Sequence, residues 1–107
     1  MSLDVYLTAV RPTTVYECNI THNLCKMARE AGLYEAMWRP EDIGATLARH
    51  LIRPLTDGLA KLRAERQRMQ EFNPPNGWGR YENLEQFAEQ YLKACCDNPD
   101  AEVSVSR

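Results

Sequence analysis

Thr21, His22 and Asn23 place an imidazole between a hydroxyl and an amide, at a point where an extended segment hands over to a helix. At such a junction backbone donors and side chains converge, and a polar ligand finds partners of both kinds. Asp4 and Tyr6 lie on the polar row of the first extended run and Tyr16 on the second, adding a carboxylate and two phenols. Trp78 stands between Gly77 and Gly79, a large ring on a backbone free to take positive φ. Asp4, Tyr6, Tyr16, Thr21, His22, Asn23 and Trp78 are therefore the candidate ligand-binding residues. Each also has a plainer reading. His22 could cap the helix or bond locally, and the tyrosines could bury their rings at a sheet edge. Trp78 is expected to plug the small core rather than stack on a ligand, because burying an indole contributes a few kcal/mol.

Other chemistry finds less support. Cys18, His22 and Cys25 are borderline-soft ligands close in sequence, but Cys18 sits on a strand, no C-x-x-C pair exists and no fourth ligand is at hand. No metal site is assigned. Cys95 and Cys96 are adjacent, so a mutual disulfide would be strained, and Asp97 beside them disfavours a thiolate. There is no glycine-rich phosphate loop, no HExxH and no GxSxG. His50, inside a helical pattern, reads as an interhelix or solvated residue rather than a base. No catalytic residue and no cofactor is assigned, and an enzyme using His22 and Asp4 as acid and base is the weakest of three readings.

The elements that must position these residues follow from periodicity. Leu3, Val5 and Leu7 alternate with Asp4, Tyr6 and Thr8, the period of a half-buried strand. Arg11, Pro12, Thr13 and Thr14 interrupt it, and Val15 to Cys18 supply a second strand, giving a hairpin. Asn19 or Thr21 caps a short helix whose apolar positions Ile20, Leu24, Met27, Ala28 and Ala31 stop at Gly32. Pro40, Glu41 and Asp42 have the composition of a first helical turn, opening a long helix along Ile43, Leu47, Leu51, Leu55 and Leu59. Pro54 lies within that stripe and is expected to break it near Arg53. Residues 73–79 form a loop, Leu84 to Cys95 an amphipathic helix, and Ala101, Val103 and Val105 a closing strand. A lone hairpin is marginal in water, so the last strand is expected to join it. The fold class is α+β: a small two- to three-stranded sheet, N-terminal hairpin plus C-terminal strand, covered by three or four helices in a single domain, 1–107.

Length and composition narrow the partners. With 107 residues, 44% of them hydrophobic and 26% charged, one core can form without disulfides. A net charge of -2 argues against a protein that grips duplex DNA by bulk electrostatics. Arg49, Arg53, Lys61, Arg63, Arg66 and Arg68 tilt the middle basic, but such runs on helices are usually solvated faces. Neither an export signal nor a membrane span is read, and four cysteines without an export signal suit reduced thiols in a cytoplasm. The partner is expected to be a small polar ligand or a host protein, with a homo-oligomer left open.

Leu3-Asp4-Val5-Tyr6-Leu7, Ile20-Thr21-His22-Asn23-Leu24, Met27-Ala28, Gly32-Leu33-Tyr34, Trp38-Arg39-Pro40, Asn76-Gly77-Trp78-Gly79, Tyr81 and Ser104-Val105-Ser106-Arg107 together resemble a group of small uncharacterised proteins of tailed phages and prophages. The resemblance runs end to end. It implies a setting, the cytoplasm of an infected cell, and no activity. Phage accessory proteins of this size commonly act by binding. The expected function is thus non-enzymatic binding of a small polar or nucleotide-like ligand, such as a host defence signal. Inhibition or bridging of a host protein is the alternative.

Overall fold

In the computed structural model, which describes residues 2–9 and 14–107, the alternation at both ends of the chain resolves into one antiparallel sheet of order β2-β1-β3. β1 (Ser2–Thr8) is central. β2 (Thr14–Thr21) pairs with it from Ser2↔Thr21 to Leu7↔Tyr16, and β3 (Glu102–Ser106) from Asp4↔Ser106 to Thr8↔Glu102. The α+β class and the joining of the last strand are as the sequence implies. The interruption read at Arg11, Pro12 and Thr13 lies outside the described residues. Period two then sets the sides: Leu3, Val5 and Leu7 are fully buried, while Asp4 and Tyr6 open to the opposite face.

Helices cover the inner row. A 3-10 turn at His22–Leu24 leads into α1 (Cys25–Ala31), which Gly32 ends in the left-handed region at φ 77°. α2 (Tyr34–Trp38) is little more than a turn. Pro40 opens not the long helix but a 3-10 turn, Pro40–Ile43, and α3 runs from Arg49 to Ala64. Pro54 lies inside α3 without dividing it, so the break expected near Arg53 is absent. A proline there forfeits the bond to the His50 carbonyl, but burial of Leu51, Leu55, Leu59 and Leu62 on one face outweighs it. α4 (Arg66–Gln70) is short, and α5 (Tyr81–Asp97) packs along α3 and against β2.

The segment leading into α3 is laced to β3. The N–H of Val103 donates to the Thr46 carbonyl at 2.9 Å, that of Ala48 to Ala101 at 2.8 Å, and that of Arg49 to Pro99 at 3.0 Å. His50 Nδ1 accepts the N–H groups of Thr46 and Leu47 at 3.2 and 3.1 Å. The start of α3 thus finds partners for donors that its own turns leave unmet. His50 is a capping acceptor.

Gly58 decides how closely α3 approaches the α1–α2 corner, because a Cβ there would lie 2.3 Å from Leu33 Cδ2. Helix propensity alone would make Gly58→Ala stabilising by about 1 kcal/mol. Leu33 is fully buried, however, and overpacking costs about 1–3 kcal/mol. Gly58→Ala is expected to lower the stability measured by urea unfolding by about 1–2 kcal/mol; a gain would mean that Leu33 has room to move.

Candidate functional site

β2 is an edge strand, and its second half forms one wall of a groove. Thr21 ends the strand, and its Oγ1 accepts the Asn23 N–H at 3.2 Å, fixing the turn into the 3-10 segment. Facing it is the 73–79 loop, shaped by its own side chains. Asn76 Oδ1 accepts the Trp78 N–H at 2.9 Å, Asn73 Oδ1 accepts the Tyr81 N–H at 2.8 Å, and Asn83 Oδ1 accepts the Arg80 N–H at 2.8 Å. Gly79 lets this loop close on the strand end: its φ is +116°, and a Cβ would sit 2.9 Å from Thr21 Cγ2 and 3.1 Å from Leu24 Cγ. Trp78 is held beside the groove with 71% of its surface exposed. The expectation that it plugs the core is overturned. Trp38, 2% exposed, takes that role, with Tyr34 stacked on it at 5.8 Å.

The groove has a volume of about 380 Å³ between Cys18–Thr21 of β2 and Asn83, Gln86, Phe87 and Gln90 of α5, with Trp78 and Gly79 completing it. Its chemistry is that of amides around an aromatic floor. Gln86 and Gln90 each bring a carbonyl acceptor and an NH₂ donor, whereas Asn19, whose side chain lies on the outer row with Asp4 and Glu17, brings its main chain. No Lys, Arg, Asp or Glu lines it, so a charged group placed there would meet no counter-charge. The sequence reading missed Asn19, Asn83, Gln86 and Gln90. Their signal was present: positions 83, 86 and 90 recur at three and four, the spacing of one helix face.

Of the seven residues singled out, Thr21 and Trp78 share this groove, and Asn23 adjoins it by donating its side-chain amide to Thr21 Oγ1 at 3.0 Å. The others lie elsewhere. His22 rests against Trp38 with ring centroids 6.2 Å apart, and its shielded Nε2, like Trp38 Nε1, has no hydrogen-bond partner. His22 does not line the groove, so the single centre uniting it with Trp78 is not formed. Asp4 and Tyr6 line a second depression, of about 370 Å³, on the opposite sheet face with Glu17, Cys18 and Asn19, and His22 is not part of it.

Tyr16 is also on the inner row, opposite Leu7, where its ring stacks on Tyr91 at 5.9 Å. Both phenol oxygens are shielded without a partner. Burial raises the pKa of each, with Cys18 next in importance for Tyr16 and Cys95 for Tyr91. Burial likewise pushes the Cys95 thiol up to about 12, and Cys96 is the exposed thiol of the pair.

No three potential metal ligands gather among the described residues, and none of their helices is long and apolar enough to cross a membrane. Comparison with known proteins finds no family model, no curated protein and no solved structure that matches the chain.

The buried thiol has a consequence for alkaline stability. Cys95 keeps its proton in the folded state up to about pH 12 but loses it near 9 when unfolded, so between those values the native chain holds more protons. Stability must therefore fall as pH rises through that window. Thermal unfolding from pH 8 upward is expected to show a shallower decline for Cys95→Ala than for the parent between pH 9 and 10, before phenols ionise. Equal slopes would place the thiol in contact with water.

Proposed function

We propose that the protein is a non-enzymatic binding module whose working part is the β2–α5 groove, and that its ligand is small, polar and planar, of the nucleobase or nucleoside class. The observation that carries this reading is Trp78, an indole left 71% exposed by a loop that three asparagine side chains and Gly79 hold in place. Exposure of so large a ring costs hydrophobic free energy that a ligand face would recover. Gln86 and Gln90 would read the edge of such a ring through paired donors and acceptors, while Phe87 lies beneath. The uncharged lining favours the base over its phosphates. On the resemblance to phage proteins, the proposed role is sequestration of a host signal in the cytoplasm of an infected cell. An adaptor acting on a host protein is the second reading, supported by the free edge of β2.

Titration with adenosine, guanosine, cytidine and uridine, each against its monophosphate, is expected to quench or shift Trp78 fluorescence for at least one nucleoside, with the monophosphate binding no tighter. Stacking is worth about 1–3 kcal/mol per base, so Trp78→Ala should weaken calorimetric binding roughly 5- to 150-fold while leaving Tm within about 2 °C. A flat panel, or undiminished binding by Trp78→Ala, would overturn the reading.

A further inference from the structure

The two edges of the sheet are treated differently. At β3 the chain covers its own edge: Val103 donates to Thr46, Leu47 bridges to Glu102, and the strand is only five residues long. β2 has eight residues, Thr-Val-Tyr-Glu-Cys-Asn-Ile-Thr, without lysine or proline and with Glu17 as its one charge. Among the described residues no further strand or loop bonds to its outer side, and its backbone groups there are a template for another strand. Among the described residues, two of the three large apolar side chains left exposed, Val15 and Trp78, flank this same edge.

We infer that β2 pairs antiparallel with β2 of a second copy about a two-fold axis at Cys18, joining the two sheets into one. The register follows from charge and parity. An axis at Glu17 would set two carboxylates directly opposite, which is destabilising. An axis at Cys18 sets Glu17 against Asn19 of the second copy and Tyr16 against Ile20, keeping inner row with inner row. The irregular step between Leu7 and Thr8, at which Val15 has no partner in β1, lies at the end of this stretch and leaves Tyr16 to Ile20 regular. There Val15 comes opposite Thr21 of the second copy, the residue that shares the groove with Trp78, so each copy's exposed valine is brought to the end of the strand where the other's exposed indole lies. The pairing goes beyond the ligand reading and excludes it: the added strand fills the groove wall at Cys18–Thr21, so the ligand-binding form is the monomer.

Sedimentation velocity of the whole chain, without ligand and in reducing buffer, is expected to show a monomer–dimer equilibrium with Kd of about 10–100 μM, as suits a small interface. Asn19→Glu places like charges opposite at two symmetric positions and should raise that Kd about tenfold. Asn19→Lys places opposite charges there and should lower it by a similar factor. In a Cys96→Ser background, diamide should cross-link dimers through Cys18, and Cys18→Ser should abolish this. A monomer at every concentration in both the parent and Asn19→Lys, or a dimer that ignores both charge changes, would overturn the proposal. Neither result bears on Trp78 titrations run below 1 μM, where the chain is monomeric in any case.

Discussion

The pairing of β1 with a neighbour on each side is the constraint from which the rest of the molecule follows. One neighbour is adjacent in sequence and the other comes from residues 102–106, so the inner row of Leu3, Val5 and Leu7 is completed only when distant parts of the chain meet. Once it is, the sheet has one apolar face and room for helices on that side alone. α5 packs against β2, α3 packs along α5, and the segment before α3 is pulled across to β3 by main-chain bonds. That same lacing leaves β2 as the open edge and brings the 73–79 loop, which immediately precedes α5, beside it.

Much of this was legible because alternation and amphipathic stripes are direct consequences of burial. The strands at both ends, the helix over 81–97 and the loop before it could be read from side-chain polarity. The misreadings have physical causes. Pro40 with two acidic residues suits any first turn, and a 3-10 turn stopped by Gly44 uses it as well as an α-helix would. The local cost of Pro54 does not register the burial of four leucines on one face. By type Tyr16 belongs with Asp4 and Tyr6, but its side of the sheet depends on register, and a one-residue shift in the pairing exchanges the two faces.

The candidate site was harder to read for a related reason. Thr21 and Trp78 were found because a hydroxyl at a helix entry and a ring between glycines are conspicuous locally. The amides that complete the groove are unremarkable singly; they acquire meaning only when α5 is rotated so that Phe87 and Tyr91 face the sheet. His22 illustrates the converse. Its sequence context is suggestive, yet neighbouring Thr21 supplies the cap, and the imidazole is turned to Trp38. The main-chain carbonyl of Trp38 in turn accepts from Arg107 Nη1 at 2.8 Å, so the end of α2 is tied to the residue just after β3.

The distance in sequence between β1 and β3 also sets a timetable. A ribosome adds about 5–20 residues per second, so β1 waits roughly 5–20 s for the strand that completes its second side. Until then one edge of β1 has no strand beside it, and the helices that cover Leu3, Val5 and Leu7 pack on an unfinished sheet. The nascent chain therefore spends that interval with its central strand paired on one side only, and completion of the sheet is governed by closure across the whole sequence rather than by the early hairpin.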